Sequence, residues 1–331
     1  MNVEEKLKLI KRDTEEIVTE EELKNLLEKK KHPISYWGVA PTGPPHIGYY
    51  RSVAKQIDLI NAGFRHKVLI ADLHAYLDDR KAPWEELEIR TKIYEKCLDL
   101  FGLKGVEFVR GSDFETNEKY FLDVLRMSGL LTTTRAERAA REVCRMNVPK
   151  VSELIYPIMQ SLDCVGLEVD VAYGGIDQRH VYMLSREYLP KLGYDKPISI
   201  FTPLGISLSG QGKMSASEKK SRLELYASED KIRESIKNAF CPAKVVDGNP
   251  VLEYIKFIVF QRKGSMKIIR PEKFGGDTIY KSYEELEKDF VSGEIHPLDL
   301  KNSLSEELIE ILRPIRKFYE SHLDMFKIFE K

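Results

Sequence analysis

The stretch Ile34-Ser35-Tyr36-Trp37-Gly38-Val39-Ala40-Pro41-Thr42-Gly43-Pro44-Pro45-His46-Ile47-Gly48-Tyr49 decides the fold. Ile34 to Val39 is a short apolar run of strand type, and an amphipathic run of helical period follows from His46 to Asn61. A strand, a tight turn and a helix start together make a site for phosphate, because backbone N–H groups and the helix dipole face it. Gly43 and Gly48 leave room for a nucleotide to approach the backbone, and Pro44 and Pro45 stiffen the turn. His46, at the helix start, can donate to a phosphate oxygen. An ordinary strand–turn–helix would carry the same pattern, so a second segment matters. Lys213-Met214-Ser215-Ala216-Ser217 is a Gly-flanked loop with one lysine, suited to closing over the same phosphates.

Outward from this stretch, short apolar runs alternate with longer amphipathic ones. Ile34–Val39, Lys67–Ala71, Val106–Val109, Val169–Ala172 and Ile198–Phe201 read as strands; His46–Asn61, Trp84–Phe101, Asn117–Met127, Val151–Val165 and Arg179–Leu189 read as helices. This alternation predicts an α/β fold, a Rossmann-type doubly wound parallel sheet whose ligands sit at the carboxyl ends of the strands. Residues 3–31 read as one or two polar helices, with Thr19 and Glu22 at capping-box spacing. Past Ser228 the pattern becomes mainly helical: Ser228–Phe240, Pro250–Phe260, Ser282–Val291 and Pro297–Phe326, with one extended stretch at Met266–Arg270. The expected division is a catalytic domain over 1–227 and a helical C-terminal domain over 228–331.

Composition excludes several classes. A formal net charge of −1 means that any nucleic-acid partner must be met by a local patch rather than by bulk charge. No uncharged apolar run approaches the roughly 18 residues of a membrane span. The N-terminus is charged and helical in pattern, unlike a secretory signal. Cys97, Cys144, Cys164 and Cys241 lack any C-x-x-C spacing, so neither a structural metal nor a disulfide framework is expected, and a cytoplasmic location is.

Two further segments carry polar groups in places that demand partners. In the largely apolar run Glu153 to Cys164, Tyr156, Gln160 and Asp163 fall at i, i+4 and i+7 on one helical face. Such a stripe serves either a structural network or a ligand. Just beyond it, Ala172-Tyr173-Gly174-Gly175-Ile176-Asp177-Gln178-Arg179 is another strand end opening a helix, which places Asp177 and Gln178 at the ligand edge. Arg135, Arg138 and Arg141 recur every three residues and form a basic ridge, continued by Arg145 and Lys150; interleaved Glu137 and Glu142 also permit a solvated, ion-paired face.

His46-Ile47-Gly48-Tyr49 and Lys213-Met214-Ser215-Ala216-Ser217 resemble the HIGH and KMSKS signatures of class I aminoacyl-tRNA synthetases. Over nearly its whole length the sequence is similar to the tyrosyl-tRNA synthetases of archaeal and eukaryotic type. The matching segments are Tyr36-Trp37-Gly38, Ala71-Asp72-Leu73-His74-Ala75-Tyr76-Leu77, Tyr156-Pro157-x-x-Gln160-x-x-Asp163, Gly174 to Arg179, Lys273-Phe274-Gly275-Gly276-Asp277 and His296-Pro297-Leu298-Asp299-Leu300-Lys301.

The resemblance implies that L-tyrosine and ATP, with Mg²⁺, form tyrosyl-adenylate and pyrophosphate, and that tyrosine then passes to the 3'-terminal adenosine of tRNA(Tyr). It implies that Tyr36 and Asp163 hold the substrate's phenolic hydroxyl, and that Tyr156, Gln160 and Gln178 hold its amino group. Asp177 would meet the ribose. Gly38, Thr42, Gly43, His46, Gly48, Lys213 and Met214 would line the nucleotide, with His46, Lys213 and Ser215 acting in catalysis.

On the tRNA side, Arg138 would contact the acceptor stem, and Phe274 and Asp299 would stack on and hydrogen-bond the anticodon's first base. The family is usually a homodimer, for which Asn117–Met127 could supply the interface. An appended C-terminal domain is expected to be absent after Lys331. Tyr49 replaces the second histidine of the first signature and Ala216 departs from the second; both read as marks of one branch. The rivals are a tryptophanyl enzyme, against which Tyr36, Asp163 and the His296–Lys301 segment weigh, a synthetase-derived tyrosine-binding protein without charging activity, and a metabolic adenylate-forming enzyme that uses no tRNA.

Overall fold

The computed structural model describes residues 1–144, 150–210 and 222–330, which fall into two compact units. The first comprises Met1–Gly43, Lys55–Asp99 and Gly105–Leu204; the second comprises Pro44–Ala54, Leu100–Lys104 and Gly205–Lys331.

The first unit is built on a six-stranded sheet: β1 (Glu16–Val18), β2 (Ile34–Val39), β3 (Arg65–Ile70), β4 (Glu107–Arg110), β5 (Val171–Gly175) and β6 (Ile198–Thr202). Their spatial order is β1-β6-β5-β2-β3-β4. All neighbouring pairs are parallel except β1 with β6. The chain runs outward from β2 through β3 to β4, then returns to the other side of β2 for β5 and β6. The order therefore reverses between β2 and β5, and in an open sheet the crevice at that reversal is where ligands bind.

The helices of this unit are α1 (Val3–Lys11), α2 (Glu20–Lys29), α3 (Tyr50–Asn61, of which the part from Lys55 lies here), α4 (Asp72–Leu77), α5 (Leu87–Leu98), α6 (Glu118–Ser128), α7 (Thr133–Cys144), α8 (Val151–Gly166) and α9 (Arg179–Tyr188). Tyr36, Leu69, Ile158, Leu162, Tyr182 and Phe201 pack in one core cluster drawn from β2, β3, α8, α9 and β6.

The expected sheet is corrected at one edge. Residues 3–31 are not helix throughout: α1 and α2 are separated by β1, which pairs antiparallel with β6, Ile17 opposite Ile200. Three residues carry no periodicity of their own, so β1 is specified by the edge it covers. The α2 cap is as the spacing predicts: Thr19 Oγ1 accepts from Glu22 N at 3.1 Å, and Glu22 Oε2 accepts from Thr19 N at 3.2 Å.

The second unit is helix-rich: α10 (Glu229–Lys237), α11 (Pro250–Tyr254), α12 (Gln261–Lys263), α13 (Tyr283–Ser292), α14 (Pro297–Ser321) and α15 (Leu323–Phe326), with a π-helical turn at Ile255–Phe260 joining α11 and α12. The expected single helix Pro297–Phe326 ends at Ser321 and restarts at Leu323. The extended stretch is half of an antiparallel hairpin, β7 (Met266–Ile268) with β8 (Thr278–Tyr280). At the start of α13, Ser282 Oγ accepts from Glu285 N, while the Glu285 carboxylate accepts from Lys281 N, so the cap is half of a capping box.

Candidate active site

A cluster of polar groups gathers at the reversal point of the first unit. Tyr36 is on β2, where it pairs in register with Ala172 of β5. Its side chain is fully buried, and its hydroxyl lies 3.4 Å from the Gln160 carbonyl oxygen. Burial, then the neighbouring Cys164, Tyr182 and Asp163, push its phenol well above the usual range.

Helix α8 supplies the stripe that the sequence spacing predicts. Tyr156 and Asp163 are buried, and Gln160 Nε2 donates to Gln178 Oε1 at 3.0 Å. Gln178 and Asp177 lie in the turn Ile176–Gln178 after β5. A Cβ at Gly175 would come within 2.7 Å of Leu204 Cδ2 and 2.8 Å of Asp177 Oδ1, so glycine is what lets that turn pack so closely. Tyr36, Tyr156, Gln160, Asp163 and Gln178 are thus brought together in one unit.

Three groups the sequence reading left without a role belong to the same pocket. Tyr120 of α6 donates its hydroxyl to Asp163 Oδ1 at 2.7 Å. His74 of α4 places Nε2 3.6 Å from Asp163 Oδ2 and Nδ1 3.4 Å from Glu115 Oε1. His74 and Glu115 each follow the carboxyl end of a strand, β3 and β4, and that position is the signal that could have found them. Burial drives the Asp163 carboxyl well above the ordinary range; Glu115 adds to this and His74 opposes it.

Residues 38–49 are divided between the units, 38–43 belonging to the first and 44–49 to the second. In the first, Gly38 lies on β2, Thr42 N donates to Ala40 O at 2.9 Å, and the Gly43 carbonyl accepts from Tyr94 at 2.8 Å. Arg90, paired with Glu86, fixes the Pro41 carbonyl. In the second, the predicted helix from His46 is corrected: His46 is extended, Gly48 lies in a 3-10 turn over Ile47–Tyr49, and α3 starts at Tyr50.

The reason is a pairing the sequence does not display. His46 bridges to Glu224, Ile47 N donates to Leu223 O at 2.8 Å, and Leu225 N donates to Pro45 O at 3.0 Å. The Ile47 N–H is therefore engaged inside the chain. Tyr49, in place of the second signature histidine, stacks on the His46 ring with centroids 4.4 Å apart. Lys213, Met214 and Ser215 lie outside the described residues, as do Ala216 and Arg145.

The basic ridge on α7 divides. Arg135 pairs with Glu187 at 3.1 Å and Arg141 with Glu137, whereas Arg138 is exposed and makes no ion pair among the described residues. In the second unit, Asp299 at the start of α14 lines a cavity of about 780 Å³ with Arg233, Lys237, Arg270 and Asn302. Phe274, in the turn between β7 and β8, is 61% exposed and is not among that cavity's lining residues. No helix among the described residues is long and apolar enough to cross a membrane.

Residues 28–313 match the family model for class I tRNA synthetases specific for tryptophan and tyrosine. The chain is 47% identical over 320 residues to tyrosine–tRNA ligase of Methanopyrus kandleri, covering 96% of this chain and 98% of that one. It is 41% identical to the cytoplasmic tyrosine–tRNA ligase of Danio rerio, of which it spans 62%. The tyrosyl-tRNA synthetase of Archaeoglobus fulgidus, solved with L-tyrosine, superposes with a TM-score of 0.90 at 44% identity, covering 96% of this chain and 99% of that one. A tryptophanyl-tRNA synthetase from Aeropyrum pernix shares the fold at 18% identity, with a TM-score of 0.72.

Fold and sequence together make this chain a class I, ATP-dependent aminoacyl-tRNA synthetase. Within that class it belongs to the tyrosyl-tRNA ligase family of archaeal and eukaryotic type, and its activity is that of a tyrosine–tRNA ligase.

Proposed function

We propose that the pocket at the β2/β5 reversal holds L-tyrosine with its phenolic hydroxyl against Asp163 and Tyr36 and its ammonium against Tyr156, Gln160 and Gln178. The observation that carries this reading is the continuity of polar groups from Asp163 through Gln160 to Gln178, linked by the 3.0 Å amide–amide bond, in an otherwise apolar core. Buried polar atoms left without partners are costly, and a tyrosine supplies a polar group for each end of the stripe.

The bound amino acid's carboxylate oxygen attacks the α-phosphorus of ATP; that P–O bond forms as the bond to the pyrophosphate oxygen breaks. Negative charge grows on the leaving group, so placed cations and donors lower the barrier. His46, Lys213 and Ser215 take that part. Gly38, Thr42, Gly43, Gly48 and Met214 line the nucleotide, and Asp177 accepts from its ribose. Mg²⁺ arriving with ATP neutralises further phosphate charge. In the second step a ribose hydroxyl of the 3'-terminal adenosine attacks the adenylate carbonyl and AMP leaves.

The tRNA(Tyr) partner is met by Arg138 at the acceptor stem and by Phe274 and Asp299 at the anticodon, which makes 228–331 the anticodon-reading domain and 1–227 the catalytic one. The exposure of Arg138, which makes no ion pair among the described residues, and the exposure of Phe274 support this. The protein works as a homodimer through α6, and in the cytoplasm, the place the zebrafish relative's name gives for that protein.

Pyrophosphate exchange with tyrosine and with phenylalanine tests the pocket. Asp163→Asn is expected to lower the tyrosine-to-phenylalanine ratio of kcat/KM roughly tenfold to a hundredfold, the cost of leaving one buried polar group mispaired. A ratio equal to that of the unsubstituted chain would remove Asp163 from hydroxyl recognition.

A further inference from the structure

His74, Glu115 and Asp163 come from three separate elements and meet inside the first unit. All three are at most 5% exposed. Among the described residues, neither ring nitrogen of His74, neither carboxylate oxygen of Glu115 and not Asp163 Oδ2 has a hydrogen-bond partner at normal distance. The His74 ring lies between the two carboxylates, Nδ1 toward Glu115 and Nε2 toward Asp163. A side chain at Gly111 would come within 2.5 Å of Glu115 Oε1 and 2.9 Å of Asp72 Oδ1, so glycine there makes room for the carboxylates.

We propose that His74 is the positioning residue of hydroxyl recognition: its imidazolium, bridging Glu115 and Asp163, favours the ionised form of Asp163 as acceptor for the phenolic hydroxyl of tyrosine, against the burial and the Glu115 charge that favour the neutral form. The proposal rests on the assignment of Asp163 to that hydroxyl. Its physical basis is charge balance. Two carboxylates this close in a buried site cannot both stay ionised without a cation, and one would take a proton.

The groups around the pair are known on every side. From α8 come Asp163, Cys164 and Tyr156, whose ring meets the His74 ring edge-on at 4.6 Å. Tyr120 comes from α6, Tyr36 from β2, Tyr182 from α9, Glu115 from the segment after β4, and Asp72 from α4 itself. Of these, His74 is the one that can carry positive charge. Burial would lower its pKa, but Glu115 and Asp163 outweigh burial and raise it to about 9.

A metal ion is the competing occupant, since each of the three residues offers a ligand atom within 4.8 Å of the others. One ion can take only one nitrogen of a given imidazole. Here the two nitrogens face different carboxylates, an arrangement that a bridging cationic ring uses fully and a single ion does not.

Phenylalanine shares every group of tyrosine except the hydroxyl, so the tyrosine-to-phenylalanine ratio of kcat/KM in pyrophosphate exchange isolates hydroxyl recognition. The experiment follows that ratio from acid to alkaline pH for the unsubstituted chain, His74→Asn, Glu115→Gln and Asp163→Asn, with the melting temperature and total bound zinc recorded for each.

Removing the cation in His74→Asn is expected to lift the acid limb of the ratio by about one pH unit or more; removing the like charge in Glu115→Gln is expected to lower it by a similar amount. Opposite displacements are something a packing role cannot produce, and Glu115→Gln keeps the side-chain shape, so the test survives if His74→Asn folds poorly. Limbs that stay in place, or that move the same way in both variants, overturn the proposal. So does one equivalent of zinc bound by the unsubstituted chain and lost in His74→Asn. If Asp163→Asn leaves the ratio intact, the underlying pocket assignment fails instead; if Asp163→Asn abolishes the ratio while the other two leave its limb unmoved, only the role of His74 fails.

Discussion

Two buried histidines a few residues apart hold opposite protonation states, for reasons visible in their partners. His66 on β3 lies between neutral groups: Ser35 Oγ is 2.8 Å from Nδ1 and Gln56 Oε1 is 3.0 Å from Nε2. With no carboxylate to offset it, burial lowers its pKa to about 3, whereas His74 between two carboxylates is raised to about 9. The pH consequences have opposite signs. The unfolded chain binds a proton at position 66 before the folded one does, so stability from neutral His66 is present above about pH 6.5 and is lost as pH falls toward 3. Stability from protonated His74 is present below about 6.5 and is lost as pH rises through 9. His66→Asn is therefore expected to flatten the acid slope, reducing the loss of unfolding free energy between neutral pH and 4.5 by about 2 kcal/mol. Urea titrations across that range check this; a slope as steep as that of the unsubstituted chain would assign acid sensitivity elsewhere.

Among the elements, α6 stands out because it has two apolar faces. It buries Tyr120, Val124 and Met127, yet Phe121, Leu122 and Leu125 are each about half exposed. Positions 121 and 125 are one turn apart, so these three side chains form a continuous stripe of the kind that marks a protein contact. If the proposed homodimer forms through this stripe, sedimentation is expected to give a dimer for the unsubstituted chain and a monomer for Phe121→Glu/Leu125→Glu at the same concentration, with the melting point of the monomer little changed. A dimer that persists would move the interface away from α6. What made elements legible in the sequence was periodicity and caps: α2 was readable from Thr19 and Glu22, and the α8 stripe from its helical spacing. The three-residue strands β1 and β8 were not, since their partner strands define them. His74 and Glu115 escaped for the same reason: each is ordinary in its own segment, and only the fold sets them against Asp163.

For the whole molecule, the residues proposed for amino-acid activation and for tRNA recognition lie far apart in the sequence, so the two steps are expected to separate experimentally. Asp299→Ala is expected to slow tyrosine charging of tRNA roughly tenfold or more, the effect of losing one base-reading contact, while leaving tyrosine-dependent pyrophosphate exchange unchanged. A matching fall in exchange would trace the loss to the fold of α14 rather than to the anticodon. The α/β pattern and the helical C-terminal region were evident from the sequence, whereas the assignment of Pro44–Ala54 to the second unit was not. That assignment, sealed by the pairing of His46 with Glu224, bears on how the protein is made. On the ribosome the histidine signature emerges early, but the segment it bridges to is roughly 180 residues behind, a delay of about 10–35 s at about 5–20 residues per second. A nascent chain therefore displays the mark of an ATP-using enzyme long before it can become one, and competence arrives only with the last third of synthesis.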